Sequence, residues 1–247
     1  LKNKAILVGP FIGELKLEIL FFAPYVIYNR KLYPNHTFVV YTRPERRDLY
    51  GRYCDIFYPL DIGGKEDKYT IKGFSLKKYQ DMVDVYKERL SLIYDIQDHI
   101  YPDISGWRYK LRWQFSRENI DYEFEPRAIH RTIVEDFLRN EKYKVLYDMD
   151  FNDKTVNLLD FNKFLDNIID EENITYVGCL IELIKKFKMV VSSSLNDLAI
   201  LGLLLKKDLV LANSLVNDDE IYLINRFKQK VFRVEKLNGD FVNENSV

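Results

Sequence analysis

Short apolar runs and helix-patterned stretches take turns along almost the whole chain, joined by short connections, and no other feature restricts the possible folds as much. KAILVG (4–9) reads as a buried strand, an apolar helix follows over 15–32, and TFVVYT (37–42) and DIFYPL (55–60) read as two further strands. A βαβ opening of this kind requires a crossover and hence parallel pairing. Leu76, Tyr79, Val83, Tyr86, Leu90, Ile93 and Ile100 recur at helical spacing, which predicts one long amphipathic helix from 75 to about 101, ended by Pro102. From Arg127 the rhythm resumes. Helices are expected over 127–140, 158–170, 180–187, 196–206 and near 218–229, and they alternate with the strands KVLYDMD (144–150), ITYVG (174–178), MVVSSS (189–194), DLVLANS (208–214) and KVFRVEKL (230–237). The pattern predicts an α/β protein made of two Rossmann-like parallel-sheet halves facing a cleft, residues 1–125 and 126–247, with the boundary placed somewhere in 120–142. A chain of 247 residues is long enough to give each half a core.

One stretch departs from that rhythm. In WRYKLRWQF (107–115), Trp107, Tyr109, Leu111, Trp113 and Phe115 alternate with basic or polar residues, and IDYEFE (120–125) repeats the alternation with acids. A period of two belongs to strands. With SREN (116–119) as the turn, Arg112 faces Glu123 and Lys110 faces Glu125, giving a β-hairpin near 107–125. Aromatic rings interleaved with basic side chains also suit a single-stranded nucleic-acid platform. The matching acids favour the hairpin.

Lys plus Arg number 37 and Asp plus Glu 38, so the formal net charge of −1 offers no long-range field for nucleic acid or an anionic membrane. Such a partner would need a local patch. Cys54 and Cys179 lie far apart without metal-ligand spacing, which fits core positions and a reducing, cytoplasmic setting. No secretory signal is expected from a start that carries only Lys2 and Lys4 and no small-residue cleavage site. The most apolar stretch, Leu15 to Ile27, is interrupted by Lys16, Glu18 and Pro24, so no membrane span is expected. His36, His99 and His130 are isolated and are read as structural or surface residues.

Ligands of open α/β sheets bind beyond the carboxyl ends of strands, and two segments meet that condition. In GPFIGE (9–14), Gly9 and Gly13 permit close backbone approach and a helix N-terminus follows, yet the spacing is that of neither a P-loop nor a GxGxxG turn. Glu14 makes this a poor anion site and suits instead a general base acting on a hydroxyl. In SSSLNDLA (192–199), Ser192, Ser193, Ser194, Asn196 and the helix amides form a neutral donor array suited to a diphosphate. The same residue types are ordinary N-caps, and residue physics alone leaves both readings open. Arg43, Arg46 and Arg47 follow the second strand, where they could meet an anionic acceptor or form an exposed basic turn. Asp148, Asp150 and Asp153 form a DxD-like cluster, but metal binding is not expected there.

The order of strand, FIGE, a helix carrying AP, and YP before the next strand resembles the start of heptosyltransferase-type glycosyltransferases of the GT-B fold. The block from Thr175 to Ser214 is similar to that family's C-terminal region, in which an Asp-Ser-Gly turn follows a buried strand. The resemblance covers about 4–60 and 140–235. It implies a metal-independent glycosyltransferase without a cofactor that takes a nucleotide-sugar as co-substrate. Glu14 would deprotonate an acceptor hydroxyl, Ser192, Ser193, Ser194, Asn196 and Asp197 would hold the donor, and Gly13, Arg43 and Arg46 would meet the acceptor glycan or other hydroxyl-bearing molecule. Asp197 stands where the family has His, and the Gly of the turn is missing. Two other readings remain: a glycosyltransferase decorating modified bases of viral DNA, and a non-catalytic α/β binding or scaffold protein.

Overall fold

The computed structural model describes residues 2–64, 71–102, 124–139, 145–148, 156–169, 173–212 and 231–234. Its contacts divide the chain into two compact units, Leu1–Glu125 and Pro126–Val247.

In the first unit β1 (Lys4–Val8), β2 (Thr37–Thr42), β3 (Ile56–Pro59) and β4 (Asp95–Ile100) form a parallel sheet in the order β3-β2-β1-β4. Ala5, Ile6, Leu7 and Val8 are all fully buried, as expected of a central strand covered on both faces. The helix after β1 comes in three parts: α1 (Leu15–Leu17), a π turn (Glu18–Phe22) and α2 (Ala23–Leu32). Pro24 has no N–H to offer the carbonyl four residues back, and the wider turn lies immediately before this break in the hydrogen-bond ladder. A helical elbow follows β2: Pro44–Arg46, then α3 (Arg47–Tyr50), then Gly51–Tyr53.

The predicted helix over 75–101 is cut short. α4 (Leu76–Ser91) starts at Ser75, whose side chain accepts from Lys78 N, and β4 takes the remaining residues. Ile96 and Ile100, four residues apart, fit helical and alternating spacing equally well; the open edge of β1 decides for the strand. It pairs from Lys4↔Asp95 to Val8↔Ile100, with a bulge between Ala5 and Ile6.

The second unit contains α5 (Ala128–Phe137), β5 (Val145–Tyr147), β6 (Val156–Asn157), α6 (Leu158–Leu165), α7 (Tyr176–Lys185), β7 (Met189–Ser192), α8 (Asp197–Leu204), β8 (Asp208–Ala212) and β9 (Val231–Val234). Its sheet is parallel throughout, ordered β6-β5-β7-β8-β9. The expected strand ITYVG is instead a helix start. The Thr175 hydroxyl accepts from Gly178 N at 3.1 Å and caps α7, so Tyr176 and Val177 enter its first turn while Ile174 stays outside it. His130 joins α5 to this cap: Nδ1 donates to Arg127 O at 2.9 Å, and Nε2 accepts from Thr175 N at 3.0 Å. A Cβ on Gly178 would stand 2.7 Å from His130 Nε2, so the imidazole occupies the space the glycine leaves. α8 is apolar around its whole circumference, and residues Leu198 to Leu204 are all buried.

Residues 107–123 of the expected hairpin, Asp150, Asp153 and the helix near 218–229 lie outside the described residues. Phe124 and Glu125 belong to no strand, and Glu125 pairs with Arg52 at 2.7 Å. Among the described residues no helix is long and apolar enough to cross a membrane.

Candidate functional site

Strand order locates the candidate sites. In the order β3-β2-β1-β4, the chain runs outward from β1 to β3 and then crosses back to β4 on the other side of β1, so the first unit has its switch point between β1 and β4; in β6-β5-β7-β8-β9 it lies between β5 and β7. Crevices in open α/β sheets form beyond the carboxyl ends at such points. Residues 9–14 follow β1, while Asp148 and residues 193–197 follow β5 and β7.

The 9–13 loop is buried and held from four sides. His99 Nε2 lies 2.8 Å from Gly9 O, Tyr79 Oη donates to Pro10 O at 2.8 Å, Thr42 Oγ1 to Phe11 O at 3.0 Å, and Arg46 Nη1 to Gly13 O at 2.7 Å. These donors belong to β4, α4, β2 and the elbow. Gly9 has φ +103°, and a Cβ there would lie 2.1 Å from Tyr41 O. Its close approach therefore serves the neighbouring strand β2 and not a ligand.

Glu14 is the first partly exposed residue after this pinned stretch. It holds the N-cap position of α1, where its backbone carbonyl accepts from Leu17 N at 3.0 Å and Glu18 N at 3.3 Å, and its side chain makes no capping bond. Among the described residues its carboxylate has no hydrogen bond or ion pair. An acid that neither caps nor pairs at the mouth of a strand is available to a hydroxyl.

Of the acceptor-side arginines, Arg46 requires correction. Arg46 is 1% exposed, with Nη1 2.6 Å from Oε2 of the fully buried Glu18, so it is not part of an exposed basic turn and cannot reach an acceptor. Gly13 is buried too, with its carbonyl taken by Arg46. Arg43 bends over the neighbouring loop, donating to Ile62 O at 3.0 Å and Gly64 O at 3.3 Å. Arg47 lies with its guanidinium 5.3 Å from the centre of the Phe57 ring.

The serine turn is also tied inward. Asp148 accepts from Ser192 Oγ at 2.5 Å, Ser193 N at 2.9 Å and Asn196 Nδ2 at 2.7 Å, and Ser193 Oγ lies 3.3 Å away. Ser192 is fully buried, and Asn196 Oδ1 accepts from Ala199 N at 3.1 Å, so these two side chains build and cap the turn. Ser193 and Ser194 are exposed, and Asp197 is partly so. The sequence does not mark Asp148 as the organiser of this turn, because the 44 residues to Ser192 leave no local signal. Among the described residues no group of three His, Cys, Asp or Glu side chains could hold a metal ion. Asp148→Ala should cost about 2–3 kcal/mol, since it strips a charged acceptor from the buried Ser192 hydroxyl and from the turn donors of Ser193 and Asn196. Urea unfolding measures this; an unchanged midpoint would contradict the role.

Two further groups, Cys54 and His99, are turned into the fold. Burial pushes the Cys54 thiol up to about 12, which leaves it protonated and inert. Burial lowers His99 to about 4; Lys87 adds to this, while the Gly9 carbonyl, Asp98 and Asp84 oppose it. Nε2 lies beside a carbonyl that can only accept, which assigns the proton of the neutral imidazole to that nitrogen, with Tyr41 Oη at 2.6 Å. Between pH 4 and 6.5 the unfolded chain binds a proton here that the folded chain does not. Stability is therefore full above that window and falls with pH, by up to about 3 kcal/mol. Urea melts at pH 4.5 and 7 should show a smaller acid loss for His99→Gln than for the parent; equal losses would count against the assignment.

No family model matches the sequence, and no curated protein is significantly similar to it. Solved structures do share its fold. A family 9 glycosyl transferase from Veillonella parvula DSM 2008 superposes with a TM-score of 0.55 at 10% identity, over 98% of this chain and 91% of the other. The ADP-heptose lps heptosyltransferase II of E. coli gives a TM-score of 0.50 at 12% identity, over 96% and 92%. The chain therefore has the two-unit, GT-B-like α/β fold of these structures.

Proposed function

We propose, from this GT-B-like fold, that the protein is a glycosyltransferase moving a sugar from a nucleoside diphosphate sugar to the hydroxyl of an acceptor glycan or another hydroxyl-bearing molecule. The observation that carries the reading is the unpaired Glu14 carboxylate at the end of a loop fixed by four side chains. Both fold neighbours are described as glycosyl-transferring proteins, and one description names ADP-heptose.

In this reading Glu14 takes the proton of the acceptor hydroxyl as its oxygen attacks the anomeric carbon. The bond from that carbon to the diphosphate oxygen breaks, and the electron pair leaves with the nucleoside diphosphate. First-turn amides of α8, with Ser193 and Ser194, receive its charge. The Asp148 and Asp197 carboxylates would repel a diphosphate lying over their side of the turn, so its place is nearer the amides. The first unit serves the acceptor and the second the donor, and no metal is assigned to the leaving group.

The test is a thermal-shift screen of nucleoside diphosphate sugars, with ADP-linked sugars first. A ligand at 100 times its Kd adds about 2.7 kcal/mol, which should raise Tm by several degrees. If no nucleotide sugar moves the melting curve, the donor assignment is wrong.

A further inference from the structure

Among the contacts on the 9–13 loop, the one at Gly13 adjoins Glu14. There a single guanidinium nitrogen, Arg46 Nη1, donates both to Gly13 O at 2.7 Å and to Glu18 Oε2 at 2.6 Å. It thus ties the residue before Glu14 to the residue four positions after it. Glu18 is held in turn by the Tyr50 hydroxyl, which donates to Oε1, and Tyr50 comes from the same elbow as Arg46. Glu14 sits between these two points, with its carbonyl engaged by Leu17 N and Glu18 N.

A buried ion pair is weak evidence for stability alone, because apolar side chains of similar volume often pack as well or better. An apolar pair could not supply a donor to the Gly13 carbonyl. We infer that Arg46 is a positioning residue for Glu14: through Gly13 and Glu18 it holds the turn that carries the general base in one orientation. This rests on the reading of Glu14 given above. It also explains why an arginine at this place in the chain lies inside the protein instead of meeting an acceptor.

The double substitution Glu18→Met with Arg46→Leu, made in the full chain, removes the Gly13 donor while leaving an apolar pair in its place. The expected result is a Tm close to the parent's, with the Leu17 amide exchanging about tenfold faster or more. For transfer from whichever nucleoside diphosphate sugar raises Tm most in the screen, kcat should fall roughly 10- to 100-fold with KM for the donor little changed. In a Glu14→Gln background the double substitution should cause no further loss, since its effect passes through Glu14. Unchanged Leu17 exchange, or an unchanged kcat, would overturn the inference. Should the double variant not fold, Arg46→Lys, which keeps a cation beside Glu18 but loses the planar fork, is read in the same way. If Glu14→Gln itself leaves transfer intact, the base assignment fails, and Leu17 exchange alone then decides whether Arg46 holds the turn.

Discussion

Glu14→Gln should slow sugar transfer roughly 10²- to 10⁴-fold while leaving thermal stabilisation by a nucleoside diphosphate sugar unchanged. The amide matches the carboxylate in size but cannot accept the acceptor's proton. The fold should tolerate it, because the Glu14 side chain makes no capping bond and the backbone carbonyl provides the turn. The loss should fall on kcat, with the donor KM retained, as for an interaction made only in the transition state. Glu14→Asp keeps the charge but withdraws it by one methylene, so an intermediate rate is expected. A Glu14→Gln protein that transfers at the parent rate would remove this residue from the chemistry.

Arg46→Leu alone should destabilise the first unit by about 3–5 kcal/mol, since it leaves one member of a buried pair without its counter-charge. Glu18 is fully buried and Arg46 nearly so. Burial already raises the Glu18 carboxyl above its usual range, opposed by the Arg46 charge and by hydrogen bonds from Tyr50 and Arg46. Without Arg46 the folded-state pKa should rise further. The folded chain then holds a proton that the unfolded chain releases, so stability is greatest below about pH 4.5 and is lost as pH rises. Urea melts at pH 5 and pH 8 should therefore show a larger penalty at pH 8. Adding Glu18→Met should recover most of it. A loss under about 1 kcal/mol at both pH values would show that the pair is not buried in solution.

Much of this was readable along the chain. β2 runs over the residues expected, and every expected strand of the two sheets except ITYVG has a counterpart, because buried parallel strands are continuous apolar runs whatever surrounds them. The isoleucines of β4 satisfy both periods, so the sequence alone continues the helix through them; only the vacant edge of β1 separates the two. ITYVG has the composition of a strand, which outweighs the Thr175 cap as a local signal. Glu14 could be singled out locally, since an acid directly after a strand-loop unit is conspicuous. Arg46 could not be judged in that way. Its charge suggested an exposed turn, and the carboxylate that draws it inside lies 28 residues earlier.

The sequence by itself determined most of the alternation of strands and helices, the parallel sheets that follow from it, and the two loops that lie beyond the carboxyl ends of β1 and β7. These depend on periodicity and local turn chemistry, which neighbouring residues decide among themselves. Only the tertiary structure decided which polar side chains are turned inward. Arg46, Ser192 and Asn196 looked like ligand contacts, yet they meet carboxylates remote in sequence, because a polar group taken out of water must find its partner wherever the fold places one.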